Sequence, residues 1–334
     1  MFRGAGWLVG TVAALLLTPD VAAEPLKIRI AWTTVPGQLT PVLFEKADQL
    51  RHQGRSYVVT HTHFAGSGPM VTGLGTGEVD LAPLAPSSFG LALQNARLDD
   101  LRIVTDDYQD GVAGRYSGEF LVRDDSPIAK VEDLKGKVLA VNAIGGGSDS
   151  ALRAMLRRHR LEDRRDYTVV ETSFGTMAAM LYDRKVDLIS QVLPFSQALH
   201  HDGRVRTLFT MRDVFGTTQS LFNVARAGFL ERNRAALEDF FEDYVRSLRW
   251  FLDPAHRDEA VRIVAQFNKQ PVATFAPYLF TPEDNYRDPD ARPDLEALQA
   301  NMRQQKELGF LSLDVDAAAH ADLSFIDEAV RRLK

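Results

Sequence analysis

Apolar runs along the chain are divided by loops rich in Gly, Pro and Ser, and two series of such runs read alike. In the first, Leu26 to Trp32 predicts a strand, followed by a loop holding Pro36 and Gly37. Thr40 and Pro41 predict a helix start, with Thr40 as N-cap and Pro41 at the first helical position. Leu43, Ala47 and Leu50 then keep one apolar face. Tyr57 to His61 predicts the next strand, which runs into Gly66, Ser67, Gly68 and a short helix opened by Pro69; Val79 to Leu84 predicts the third strand. The second series begins about 110 residues later, a domain-sized offset. There Lys137 to Ala143 predicts a strand, Gly145 to Ser148 a loop, Ser150 to Arg160 a helix, Tyr167 to Thr172 a strand, Thr176 to Tyr182 a helix and Val186 to Val192 a strand.

Even the wording returns: Glu78, Val79, Asp80, Leu81 matches Lys185, Val186, Asp187, Leu188 at the same point of each series. Two successive strand-helix-strand-helix-strand units imply an α/β protein of two doubly wound lobes, each with a largely parallel sheet and right-handed crossovers. From about Arg226 the pattern turns helical. Leu237, Phe240, Phe241, Tyr244, Leu248 and Phe251 follow helical spacing and predict a core stripe. Ala255 to Phe267 and Pro293 to Leu308 predict further helices, separated by a loop rich in Pro and Asp from Thr281 to Pro293. Too few strands remain for a third sheet, so these helices are expected to pack on an existing lobe and make it discontinuous in sequence.

The start of the chain changes the picture of compartment. Arg3 precedes an uncharged run from Gly4 to Thr18, and Val21, Ala22, Ala23 form a small-residue cleavage site, so residues 1–23 are expected to be a signal peptide cut before Glu24. The run is too short for a membrane span and is interrupted by Pro19 and Asp20. The expected compartment is the periplasm. The chain has no cysteine, which excludes a lipid-attachment cysteine, a disulfide framework and a thiolate metal site. A net charge of −6 without a long Lys/Arg cluster argues against nucleic acid as a partner.

In doubly wound sheets, ligands sit beyond the carboxyl ends of strands, where loops lead into helix N-termini. Four loops have that character: Trp32 to Gln38, Gly66 to Pro69, Ala85 to Phe89 and Asn142 to Ser150. Their glycines admit close backbone approach, the helix starts offer free N–H groups to negative charge, and Ser67, Ser87, Ser88 and Ser148 add hydroxyls. Trp32, at the end of the first strand, is placed either to stack on a ligand or to cover the sheet end; Phe195, after Pro194, holds the matching place in the second series. Catalytic patterns are incomplete. Gly146, Gly147, Ser148, Asp149, Ser150 lacks the last glycine of a nucleophile elbow, and Gly73, Gly75, Gly77 does not make a dinucleotide fingerprint. His61 and His63 share a strand face but have no third ligand nearby in sequence, and the adjacent His200 and His201 are expected at the surface.

Taken together, the loops, the echo and the export signal resemble the substrate-binding proteins of ABC importers in the sulfonate, taurine, nitrate and thiamine-precursor group, which have the type II periplasmic-binding fold. The phrases that carry the resemblance are Gly77 to Ala82 and Asp133, Leu134, Lys135, Gly136, Lys137. The resemblance implies two crossings between lobes, near Ser117 to Val122 and near Leu221 to Ala225. Lobe 1 is then residues 24–117 with 224–334, including the extra C-terminal helices, and lobe 2 is residues 118–223. It implies ligand contacts at Trp32, Thr33, Gln38, Ser67, Gly68, Ser87, Ser88, Gly147, Ser148 and Phe195, with Arg115 as the one arginine near the cleft.

The expected function is capture of a small organic anion, sulfonate-like or an aromatic or other carboxylate, and delivery to a membrane permease and its ATPase by hinge closure. Nitrate and a pyrimidine-like heterocycle stay open as ligands. No catalytic residue, cofactor or metal is expected, and the protein should be a monomer. A ligand-sensing subunit is the main rival, and an enzyme on the same fold the next. Pyrimidine-synthesising relatives carry a cysteine-rich motif absent here, and for menaquinone-pathway dehydratases an export signal would be out of place.

Overall fold

The computed structural model describes Met1 and residues 24–334, so the expected signal peptide lies outside the described residues. Its first sheet starts with β1 (Leu26–Trp32), the single helical turn α1 (Thr40–Leu43), β2 (Tyr57–His63), α2 (Ser67–Thr76), β3 (Leu81–Leu84), α3 (Pro86–Asn95) and β4 (Leu101–Asp110). The second follows with β5 (Gly118–Arg123), β6 (Lys137–Val141), α4 (Gly147–Arg158), β7 (Tyr167–Glu171), α5 (Phe174–Tyr182), β8 (Leu188–Val192), α6 (Phe195–Asp202), β9 (Val205–Thr210) and α7 (Met211–Phe215). The chain then returns through β10 (Thr218–Arg226).

The sheet orders are β2-β1-β3-β10-β4 and β7-β6-β8-β5-β9. The echo in the sequence is therefore an echo of topology, with β1, β2 and β3 matched by β6, β7 and β8. Each sheet is mixed, with four of its five strands running one way, as expected, and one strand reversed. β10 runs antiparallel to β3 and β4, and β5 runs antiparallel to β8 and β9. These two strands are the ones that come from the opposite lobe, so their direction is set by the crossing and not by a local helical connection.

The repeated phrase has an atomic reason. Asp80 donates its backbone N–H to the Arg29 carbonyl at 2.8 Å, and its carboxylate accepts the Arg29 N–H at 2.9 Å. Asp187 repeats this on Val138, donating at 2.7 Å and accepting at 3.1 Å. In both lobes an aspartate just before the third strand thus takes the place of a ladder residue beside the first. The Asp133 phrase is a turn: its carboxylate accepts the Ala129 and Lys130 N–H groups at 2.8 and 3.1 Å, Leu134 is buried, and Gly136 supplies the positive φ before β6.

Two expectations need correction here. Thr40 is not an N-cap: Leu39 holds that place, and the Thr40 hydroxyl instead lies 3.0 Å from the Tyr244 hydroxyl in the core. The second crossing does not fall near Leu221 to Ala225, because those residues are inside β10, paired in the first sheet. The chain passes between sheets at residues 111–117 and 211–217, so the boundary expected after residue 223 lies several residues too late.

The C-terminal part is helical as expected, with α8 (Ala227–Arg232), α9 (Arg234–Leu252), α10 (Arg257–Asn268), α11 (Val272–Phe275), α12 (Leu295–Glu307) and α13 (Ser324–Arg332). The α9 stripe Leu237, Phe240, Phe241, Tyr244, Leu248 and Phe251 is buried against Ile28, Ile30, Val42 and Tyr57, one core of the first lobe. The opposite face of that sheet is covered by α2, α3 and α12 through Met70, Phe89, Leu298 and Met302. The last turn of α12 and the chain after it also reach the second lobe: Gln305 Oε1 accepts the Ser150 hydroxyl at 3.1 Å, and Leu308 and Phe310 pack on its core. No described helix is long and apolar enough to cross a membrane.

Candidate functional site

A cleft opens where the carboxyl ends of the parallel strands of both sheets face each other. The first lobe contributes Thr33, Thr34 and Gln38 after β1, Gly66 and Ser67 at the start of α2, and Ala85 before α3. From the second lobe come Asn142, Gly146, Gly147 and Ser148 around the start of α4, and Phe174 at the start of α5. Tyr108 lines it from β4, Ser117 from the first crossing, Ser220 from the start of β10, and Asn285 from the loop before α12. Its volume is about 80 Å³, several times the ~10–15 Å³ that a single water needs.

Four helices of nine or more residues begin at this cleft or in its wall. Their caps, Gly66, Ala85, Gly146 and Ser173, supply no side-chain acceptor to the first turn. An uncapped start leaves N–H groups that need a partner and carries the positive end of the helix dipole, worth roughly 0.3–2 kcal/mol per terminus toward an anion. No charged side chain of the described residues lines the cleft. Negative charge bound there is met by backbone N–H groups, hydroxyls and amides.

The loops that carry these groups are held from behind. Gln38 Oε1 accepts the Thr33 N–H at 2.6 Å, which fixes its amide so that the Nε2 donor is left for the cleft. Arg287, almost wholly buried, donates to the carbonyls of Pro36 at 2.7 Å and Gly37 at 3.0 Å and pairs with Asp284 at 3.0 Å. In the second lobe the Glu171 carboxylate accepts the Ile144 N–H at 2.7 Å, and Asp149 accepts that of Gly145 at 2.9 Å. Burial raises the Asp149 carboxyl, while the Gly145 N–H and Arg153 oppose the rise. The carboxylate nearest the start of α4 is thereby tied to the loop and to Arg153 rather than offered to a ligand.

The lobes touch around the cleft. Ser88 Oγ donates to the Gly145 carbonyl at 3.1 Å. A Cβ on Gly66 would lie 2.6 Å from Cβ of Ala143, and one on Gly147 would lie 3.2 Å from Cβ of Ala85. The arrangement is a closed one that only glycine permits at Gly66.

Of the residues expected to contact a ligand, Thr33, Gln38, Ser67, Gly147 and Ser148 line the cleft. Ser88 sits on the seam between lobes, and Ser87 faces a separate cavity of about 10 Å³, its buried Oγ without a partner. Gly68 and Trp32 do not line the cleft. Trp32 stands edge-on to His63 at 4.7 Å and Phe267 at 5.7 Å, so it covers the sheet end, drawn there by the apolar side of α10. Phe195 stacks behind Phe174 at 6.0 Å, and it is Phe174 that reaches the cleft. Arg115 lines a different cavity at the crossing, with its Nη1 3.5 Å from the Asn285 carbonyl. His63 bonds the Thr33 carbonyl at 3.0 Å, and His200 bonds Glu119 at 2.8 Å from the last turn of α6. Sequence reasoning missed Tyr108, Ser117, Ser220 and Asn285. Only the run of Pro and Asp around Asn285 marked a constrained loop.

Two α/β lobes of matching strand order, two crossings and a cleft between them define the type II periplasmic-binding fold. Residues 111–259 match the family model described as NMT1/THI5 like. Among solved structures, the alkanesulfonate-binding protein SsuA of Xanthomonas axonopodis pv. citri, bound to MOPS, is similar with a TM-score of 0.70 and 20% identity, over 90% of this chain and 100% of that one. The periplasmic nitrate-binding protein NrtA of Synechocystis PCC 6803 has a TM-score of 0.74 at 14% identity, over 93% and 90%. The desulfurization enzyme DSZB has a TM-score of 0.66 at 16% identity, over 92% and 100%. No curated protein matches the chain by sequence.

Proposed function

We propose that the protein is the exported solute-binding subunit of an ABC importer, which captures a small organic anion between its lobes and hands it to a permease. The observation that carries this reading is the set of helix starts from both lobes that meet at one cleft without side-chain caps or cationic side chains. Such a site holds an oxyanion by N–H groups and releases it without breaking a salt bridge. A sulfonate-like head suits it best, with a carboxylate next; Phe174 gives one apolar wall for the rest of the ligand. The likeness to sulfonate-binding and nitrate-binding proteins supports the same class. The N-terminal pattern of Arg3, an uncharged run and Ala22-Ala23 supports export and periplasmic action; action as a monomer is part of the same proposal.

Function follows from closure. A ligand that bonds both lobes shifts the open and closed populations by its differential affinity, and the permease reads the closed form. An enzymatic role is favoured only by the likeness to the desulfurization enzyme, which has also been solved as a cysteine-to-serine variant in complex with biphenyl-2-sulfinic acid. This chain has no cysteine, so no thiol chemistry is open to it.

The test is a thermal-shift and calorimetric screen of the chain from Glu24 onward against alkanesulfonates, taurine, nitrate, aromatic carboxylates and pyrimidines. At 100 times its dissociation constant a true ligand stabilises the folded state by about 2.7 kcal/mol. A shift with one anion class supports the reading. Binding of pyrimidines alone, or turnover of any ligand, defeats it.

A further inference from the structure

The walls of the cleft near the crossings have a polarity opposite to that of its helix starts. Asp110, the last residue of β4, is fully buried. Its carboxylate accepts the Ser117 N–H, the Ser117 hydroxyl at 2.9 Å and the Ser220 hydroxyl at 2.5 Å. All three groups bonded to it are neutral donors. Ser117 and Ser220 are themselves more than nine-tenths buried, and both line the cleft. Since each hydroxyl has one proton and gives it to Asp110, each oxygen keeps only lone pairs for the cleft. The helix starts therefore present donors, whereas this wall presents acceptors backed by a buried anion.

We infer that the ligand carries, besides its anionic head, a hydrogen-bond-donating group, in the simplest case an ammonium, and that Asp110 selects for it through Ser117 and Ser220. The inference rests on the anion-binding reading of the same cleft and narrows it to zwitterionic ligands of the aminosulfonate or amino-acid type. A second anionic or purely accepting group placed against these two serines would face lone pairs backed by a buried carboxylate and would get no proton from either hydroxyl, which is penalised in a site shielded from water. An ammonium there completes charge-assisted bonds to both serine oxygens. Asp110 is a positioning residue: it touches no ligand atom and acts by fixing the direction of two protons.

The experiment is calorimetry at pH 7.5 with matched pairs on the chain from Glu24 onward: ethanesulfonate against 2-aminoethanesulfonate, and propanesulfonate against 3-aminopropanesulfonate. The amino member of at least one pair is expected to bind ~10-fold or more tightly, the equivalent of one charge-assisted hydrogen bond. In Asp110→Asn the ratio within the pair should collapse toward one, and in Ser220→Ala it should narrow. Folding of each variant is checked by its melting curve, and Ser220→Ala stands as the test if Asp110→Asn does not fold. Equal affinities within both pairs, or a ratio unchanged in folded variants, overturn the inference while leaving the anion reading intact. If all four sulfonates fail to bind, the anion reading in its sulfonate form fails first and takes the inference with it.

Discussion

Gly111 and Thr217, one on each passage between the lobes, meet so closely that a Cβ on Gly111 would lie 2.6 Å from the Thr217 Cα. Gly111 also has φ +82°, in the left-handed region. Next to this contact Arg212 donates to the Gly114 carbonyl at 2.7 Å, so the two passages are stitched together at the pivot of the molecule. Gly111→Ala faces both backbone strain and a clash with backbone atoms that cannot rotate away. Its unfolding free energy should fall by about 1–3 kcal/mol, read by urea denaturation, with ligand affinity changed as well because the passages are forced apart. A variant with wild-type stability would mean that the passages separate freely.

Gly66 separates closure from folding. Its backbone is extended, so alanine fits its conformation, and the only obstacle is Ala143 across the cleft. Gly66→Ala should keep the melting temperature of the empty protein and weaken ligand binding ~10-fold or more, because the added methyl holds the lobes apart. Small-angle scattering of the liganded variant should give a larger radius of gyration than the liganded parent.

Arg287 couples the loop before α12 to the loop after β1. Replacing it with methionine leaves Asp284 and the Pro36 and Gly37 carbonyls without their buried donor. Removal of one partner from a buried pair costs about 3–5 kcal/mol, and the Thr33 to Gln38 loop loses its support. Both the unfolding free energy and the affinity should drop. A fall in stability alone would show that Gln38 holds that loop without help.

Three buried acids on β4 set the response to pH. Burial raises Asp106 to about 8, Asp107 to about 7 and Asp110 to about 6, against an ordinary value of 3.8; bonds from Gln219, the nearby Arg287, and bonds from Ser220 and Ser117 respectively temper the rise. The native state then keeps protons that the unfolded chain has already lost. Their contribution is greatest below pH 4 and is lost as pH rises through these values, with a slope of up to about 1.4 kcal/mol per pH unit for each titrating group. Asp166 and Glu328, each held at about 2 by arginine bonds, act in the opposite sense only on the acid side of pH 4. The melting temperature should accordingly decline from pH 5 to pH 8, and Asp106→Asn should flatten the decline. A melting temperature that rises over that interval would contradict the burial of these acids.

The two-lobe organisation was legible because it is written in local signals. Periods of two and 3.6, glycine-rich turns, and the Asp80 and Asp187 phrases each depend on residues a few positions apart or on one strand beside another. The crossing strands β5 and β10 were harder to see, since each pairs in the sheet opposite to that of the strand before it in sequence, and nothing local reports that exchange. Five of the ten expected ligand contacts line the cleft because they sit at strand ends and helix starts, which the topology alone points inward.

By itself the sequence determined the fold class, the repeated unit, the helical C-terminal part and the loops from which a ligand site had to be built. Tertiary structure decided the rest. Trp32 turned to Phe267, some 235 residues away in the chain, rather than to the cleft, while Phe174 took the place expected of Phe195. Asp110 acquired its meaning only when Ser117, from the first passage, and Ser220, from β10 just after the second, arrived beside it. The reason is physical: a residue's conformational preference is local, but the partner that fills its hydrogen bonds or covers its apolar surface comes from whatever part of the chain the fold brings beside it.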